Sequence, residues 1–588
     1  MGNRASYDLV FNHYVIESYG QTNEALYALV HKCRDLNLSY NDHFPVSKTR
    51  PFEYTLNDFA TSWQNHFQSF MVDRSLDSDI TAPLLIEKLR ERYKIPEGWS
   101  DEDARAVIGM RYEFDLRGIS SLPTYTFIED ISDENLSAIL ELNTPGLMVE
   151  SSTVREYHTK YAAHILGYMG GMDDDDWAKY KNAGYSMDAY IGQSGFEEAF
   201  EDYLHGIDGQ RVDVVSKDGT IVEQFWRVDR KTGEVYTPIA GNNVETTIDL
   251  ELQGIAEDSL ASIMKELTDP EKNTSTGEST GLDAEGAAVV VMKVKTGEIL
   301  ACASYPTFNL ETMNEDWDDI MNDELKPFFN RAFGANYAPG STFKMCTLVA
   351  AMENTNSKGK RILDYMETIQ DKGVFTELGD GFNPKCLLYS SVLATHGTID
   401  ATDALKVSCN YFFYECGSRL GETRLYQYAA AFGLTSKTGI DLPGEVRSVV
   451  GSQNTLYDPT KPVGESSQDT SRPIIVFNSI KSHLKKCGES RGMEYDDERL
   501  SSCAKRLMDM AVAYPESSWV ENMRTILMEE LNMPRSMVYS NSVITDTYNY
   551  INDIKWGGSQ TILTAIGQSV TTVTPIAVAR YVTAVANG

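Results

Sequence analysis

Tyr337-Ala338-Pro339-Gly340-Ser341-Thr342-Phe343-Lys344 is the stretch around which the chain is organised. Pro-Gly signals a turn, and the run behind it, Met345 to Met352, is apolar almost all round. A helix with so little polar surface belongs at the centre of a domain. Ser341 then falls on the first turn of a buried helix, with Lys344 three residues on and on the same face. An amine placed there can take the hydroxyl proton, and the helix N-terminus favours developing negative charge. The pattern reads as an activated serine nucleophile. Other Ser-x-x-Lys sequences begin at Ser262, Ser357, Ser482 and Ser502, but none has a Pro-Gly turn before it and an apolar helix after it.

A second element lies downstream. Ser408-Cys409-Asn410 sits between an amphipathic turn, Ala404 to Val407, and the aromatic run Tyr411-Phe412-Phe413. Ser-x-Asn alone is weak, since Ser39-Tyr40-Asn41 and Ser452-Gln453-Asn454 also fit. Its position after Ser341 gives it weight, because serine-active acyl-transfer enzymes use Ser-x-x-Lys, then Ser-x-Asn, then a Lys-Thr-Gly strand.

With the wording around both motifs, the chain resembles the class B penicillin-binding proteins, the D,D-transpeptidases that cross-link peptidoglycan. Asn330-Arg331, His396-Gly397, Phe432-Gly433-Leu434 and Thr438 to Glu445 look like family phrases around the site. So do Ile191 to Glu197, Gly206 to Gly209 and Thr247 to Gln253 upstream, and Ala565 to Gln568 with Val573-Thr574-Pro575 near the end. The resemblance implies an α+β, multidomain fold. An elongated, dimerisation-type pedestal over 1–240 precedes a β-lactamase-like transpeptidase domain over 241–588, whose five-stranded antiparallel sheet is flanked by helices. It also implies roles for four residues. Ser341 is the nucleophile, Lys344 its base with a pKa lowered by burial, Ser408 a proton relay, and Asn410 a ligand to the donor's amide and to Lys344. The backbone N–H of Ser341 would form half of an oxyanion hole. No metal or organic cofactor is called for. Implied partners are stem peptides ending in D-Ala-D-Ala, β-lactams, a membrane glycan polymerase and other cell-wall assembly proteins. A β-lactamase, a D,D-carboxypeptidase and a non-catalytic scaffold or β-lactam sensor share parts of the pattern. The pedestal wording leans towards a role in cell elongation.

Three Lys-Thr-Gly triplets are present and all read as decoys. Lys231-Thr232-Gly233 and Lys295-Thr296-Gly297 precede Ser341 and look like hairpin turns. Lys437-Thr438-Gly439 belongs to the phrase ending in Leu442-Pro443-Gly444-Glu445, which in the family comes before the true motif. The expectation is therefore a chain cut between the second and third motifs, with the C-terminal strands of the sheet missing and activity impaired. The other end reads likewise: Ala5 to Val10 resembles the segment just after the family's single N-terminal membrane anchor, so the catalytic part is expected to be extracytoplasmic.

At 588 residues the chain suggests two or three domains, and 42% apolar content marks a globular protein. A net charge of −34 argues against nucleic acid, whose phosphates need Lys and Arg. No run approaches the roughly 18 to 20 apolar residues of a membrane span. The eight cysteines show no metal-type spacing; Cys487 with Cys503, or Cys386 with Cys409, could pair, but free thiols are the expectation. His396 reads as structural.

Elsewhere the pattern gives helices at Pro83 to Tyr93, Asp101 to Arg111 and Asp249 to Leu267, the last capped by Asp249. Ala287 to Val294 and Glu298 to Ser304 read as a hairpin that opens the catalytic sheet. Ser518-Trp519-Val520-Glu521 reads as a capping box ahead of an apolar stripe of Trp519, Met523, Ile526, Leu527 and Leu531. The stretch at about 450–555 is accordingly expected to be a mostly helical insertion, either a docking surface or an embellishment.

Overall fold

The computed structural model describes residues 1–59, 61–119, 124–185, 189–215, 221–273, 281–379, 382–467, 471–539 and 541–588. The chain divides into two compact units. One is Met1–Thr246 with Phe308–Asp318, the other Thr247–Thr307 with Asp319–Gly588.

In the first unit, strand Gly2–Phe11 lies between Tyr125–Ile128 and Leu147–Glu156, antiparallel to both. Its Leu9, Val10 and Phe11 are buried where both neighbours pair with it. Helices Thr22–Asp35, Ala82–Arg92 and Asp101–Ile119 share this core. The proline of the second helix stands at its second position, and the third runs on past Arg111 to Ile119. It continues because Tyr112, Phe114 and Leu116 all find buried positions. Three charged residues of that helix, Asp103, Arg105 and Glu113, are buried and tolerated because each is paired, Asp103 with Arg34 and Ser100. Arg105 donates to Asp42 at 2.7 Å and to the Phe44 and Val46 carbonyls, while Glu113 accepts from Arg117 and lies 2.7 Å from His43. Phe308–Asp318 belongs here through aromatic edges, Phe308 against His164 and Trp317 against Tyr168.

In the second unit, Asp249 caps helix Leu250–Leu267 by accepting from the Leu252 N–H at 3.1 Å. Gln253 then pins this helix to the hairpin Ala287–Met292/Ile299–Tyr305, its side chain bonding both the N–H and the carbonyl of Cys302. Among the described residues this hairpin alone represents the expected five-stranded sheet. Thr296-Gly297 makes its turn, the Gly297 N–H reaching the Lys293 carbonyl. Lys231-Thr232-Gly233 is likewise a turn, between the bridged pair Val228 and Val235. Lys437-Thr438-Gly439 is a loop held by the Glu445 carboxylate, which accepts from the N–H groups of Thr438 and Gly439.

Helices Arg472–Glu489, Asp497–Ala513, Trp519–Leu531, Arg535–Val538 and Asn541–Asn552 enclose a separate core around Trp519, Leu484, Leu507 and Leu527. The apolar stripe from Trp519 to Leu531 is buried there. The capping box is not formed. Pro515 opens a 3₁₀ turn, Glu516–Ser518, so Ser518 is already helical and lacks the extended backbone of an N-cap. Its hydroxyl donates to the Pro515 carbonyl instead, and Glu521 faces Arg524.

All eight cysteines are free thiols. Among the described residues, no helix is long and apolar enough to cross a membrane.

Candidate active site

The nucleophile stretch is held from behind. Thr572-Val573 runs between Tyr337 and Val449, bonded to both. The Gly340 N–H donates to the Gly567 carbonyl at 2.9 Å. The approach is close enough that a Cβ on Gly567 would lie 2.2 Å from the Gly340 carbonyl oxygen, so Gly567 must be glycine. Gly340 has φ +53°, the left-handed conformation that turns the chain into Ser341. Ser341 does not open an α-helix directly. Gly340–Phe343 is a 3₁₀ turn, and the α-helix runs from Lys344 to Glu353. Ser341 is exposed, whereas Phe343 and Lys344 are buried.

Ser408 and Asn410 come from the junction of two helices, Ala401–Lys406 and Asn410–Leu420. The first ends in a Schellman pair of bonds, Ser408 N–H to the Leu405 carbonyl and Cys409 N–H to that of Ala404. Ser408 occupies the left-handed position of that motif, φ +50°, where glycine is usual. A serine there carries about 1–2 kcal/mol of backbone strain. The bend turns its hydroxyl towards Lys344 and lets Asn410, one residue beyond the Cys409 cap, converge on the same amine.

Lys344 directs its three donors to this junction. Its Nζ lies 2.8 Å from the Ser408 carbonyl, 2.9 Å from Ser408 Oγ and 2.6 Å from Asn410 Oδ1. Ser408 Oγ in turn donates to Ser341 Oγ at 2.8 Å. All four residues singled out in the sequence are thus gathered. The amine reaches Ser341 through Ser408, rather than by the direct contact that the i, i+3 spacing suggested. Burial lowers the Lys344 pKa to about 8. A small further pH rise therefore leaves it a neutral amine.

Directly behind the junction lies a group that the sequence spacing concealed. The ligand atoms of Asp371, Cys386, His396 and Cys409 all lie within 4.8 Å of one another. Asp371 Oδ2 is 2.8 Å from His396 Nδ1, and the two sulfurs are 3.9 Å apart. Donation from Cys409 and from backbone N–H groups lowers the Cys386 thiol below its ordinary range, against the opposing effect of burial. Two sulfurs, an imidazole and a carboxylate form a zinc-type donor set. Two thiolates at 2.3 Å from one tetrahedral ion stand about 3.8 Å apart, close to the separation present. The four residues come from four separate segments, so no spacing in the sequence groups them. His396, read as structural, is bonded to Asp371 here, and the signals in the sequence were the possible pairing of Cys386 with Cys409 and the place of Cys409 between the serine and asparagine of the second motif.

Residues 2–246 match the family model of the penicillin-binding protein dimerisation domain, and residues 287–468 that of the penicillin-binding protein transpeptidase domain. The peptidoglycan D,D-transpeptidase MrdA of Acinetobacter baumannii is 27% identical over 324 residues, covering 54% of this chain and 42% of that protein. The MrdA of Escherichia coli K12 is 27% identical over 336 residues, covering 55% and 47%. The chain thus spans less than half the length of the curated relatives it matches. A penicillin-binding protein, PBP2, of Helicobacter pylori, solved in complex with MreC, superposes with a TM-score of 0.50 at 19% identity, over 87% of this chain and 71% of that one. At that identity the likeness is one of fold. With a dimerisation-type domain followed by a transpeptidase domain whose serine, lysine, serine and asparagine converge on one point, the chain belongs to the class B penicillin-binding proteins.

Proposed function

We propose that the protein is a serine D,D-transpeptidase that cross-links peptidoglycan stem peptides through an acyl-serine intermediate. The observation that carries this reading is the unbroken path from Ser341 Oγ through Ser408 Oγ to Lys344 Nζ, with Asn410 fixing the far side of the amine. Neutral Lys344 draws the Ser341 proton through Ser408 while Ser341 Oγ attacks the carbonyl between the last two D-alanines. The Ser341 N–H supports the developing oxyanion. Collapse breaks the C–N bond, and Ser408 passes the proton to the departing D-alanine amine. An amine of a second stem then attacks the ester, gives its proton to the same relay, and Ser341 leaves with its hydroxyl restored. β-Lactams acylate Ser341 by resembling the donor. A zinc ion held by Asp371, Cys386, His396 and Cys409 would act as a structural clamp, and those four residues tie the Ser408–Asn410 junction to its neighbours. Residues 1–240 serve as the non-catalytic pedestal and 241–588 as the transpeptidase domain, with 450–555 inserted in it. The catalytic part works outside the cytoplasm, at the cell membrane and alongside a glycan polymerase; the Helicobacter relative solved with MreC supports a cell-wall assembly partner.

Fluorescent penicillin tests the assignment. The label is expected on the intact wild-type protein, with its Lys-Thr/Ser-Gly strand, and absent from the same protein carrying Ser341→Ala. Labelling that survives the substitution places the nucleophile elsewhere.

A further inference from the structure

The 3₁₀ turn that carries Ser341 has an identifiable cause far along the chain. In an α-helix the Cys346 N–H would bond the Thr342 carbonyl, four residues back. Here it donates to Tyr581 Oη at 2.7 Å, and the Tyr581 O–H donates to the Thr342 carbonyl at 3.1 Å. One phenol hydroxyl is inserted into the helix's own ladder, which is how a side chain changes the course of a helix. On the N-terminal side of the insertion the backbone winds tighter, with the Thr342 N–H on the Pro339 carbonyl and the Lys344 N–H on that of Ser341.

This changes what the i, i+3 spacing means. In a 3₁₀ turn, residues three apart eclipse one another, whereas in an α-helix they are offset by about 60°. Ser341 and Lys344 are therefore stacked in line along the turn, within reach of the single Ser408 hydroxyl that joins them. From these contacts we propose that Tyr581 is a positioning residue. By wedging open the ladder between Thr342 and Cys346 it holds Ser341 in register with Ser408 and Lys344.

The wedge is well supported. Tyr581 is buried on helix Pro575–Asn587, which Thr574 caps at the Ala577 N–H. That helix is tied back by the Ile576 N–H to the Ala332 carbonyl and by Arg580 to the Gly433 carbonyl. Phe432 packs edge-on against the Tyr581 ring at 5.2 Å. Burial raises the phenol's pKa, so it keeps the proton it gives to Thr342.

The inference rests on the proposed acyl-serine chemistry for its functional half, and the test separates the two. Tyr581→Phe keeps the ring and removes the wedge; Phe432→Leu loosens the same packing and leaves the wedge. Crystal structures of both variants and the wild type are compared, along with penicillin acylation resolved into reversible affinity and acylation rate. In Tyr581→Phe the Cys346 N–H is expected to close onto the Thr342 carbonyl, turning 340–343 towards α-helix. The acylation rate should fall about 100-fold, the scale of a misplacement near 1 Å, with reversible affinity kept. Phe432→Leu should melt lower yet acylate at the wild-type rate. A turn that keeps its 3₁₀ course in Tyr581→Phe overturns the inference, as does an unchanged acylation rate. If the turn relaxes as expected but the wild type takes no penicillin, the positioning stands and the transpeptidase reading falls.

Discussion

At the scale of single residues, the proposed chemistry depends on the protonation state of Lys344. With a pKa of about 8, roughly a tenth of the molecules carry the neutral amine at pH 7. The base must be neutral to accept a proton, so acylation by penicillin should rise about tenfold per pH unit well below 8 and level off above it. An acylation rate that is flat across this range would mean that Lys344 is not the base. Ser408 poses a separate question, because its function and its backbone conflict. Ser408→Gly and Ser408→Ala both delete the relay hydroxyl, and both should slow acylation by about 10²–10⁴, the usual contribution of positioned proton transfer. They should differ in stability. Glycine relieves the φ of +50° and alanine does not, so the glycine variant should be about 1–2 kcal/mol more stable by denaturant unfolding. Ser341 and Lys344 were legible in the sequence because a Pro-Gly turn and an apolar run are local signals. The detour through Ser408 was not, since it depends on how two distant segments pack.

At the scale of elements, the helix junction carrying Ser408 and Asn410 is clamped by groups from four segments. Zinc should raise the melting temperature and a chelator should lower it. At 100 times the dissociation constant the gain is about 2.7 kcal/mol. Asp371→Ala should cancel most of the difference, and identical melting with and without zinc would dismiss the clamp. Periodicity exposed the amphipathic helices, including the stripe from Trp519 to Leu531, because burial of one face is written into the order of residues. Two finer features escaped it. Pro515 starts a turn one step too early for Ser518 to cap, a competition between local signals. The 3₁₀ turn at Ser341 is imposed by Tyr581, hundreds of positions away, and no local pattern encodes it.

At the scale of the whole molecule, the multidomain α+β organisation and the family were readable because many short phrases recur in one order, which survives low identity. The excursion at Phe308–Asp318 was not readable, since nothing in its composition says which core will take it up. Its consequence is one of severance. The chain passes between the units at 246/247, again at 307/308 and back at 318/319. A protease site engineered at 246/247 should therefore leave the two pieces bound together in native conditions and separable in denaturant, because the severed first unit still grips a strap that belongs covalently to the second. Pieces that part freely after the cut would show the strap to be loosely held. The same constraint governs domain exchange. A transplanted pedestal has to bring its own version of this strap, or the host must give up one loop of its catalytic half to receive it.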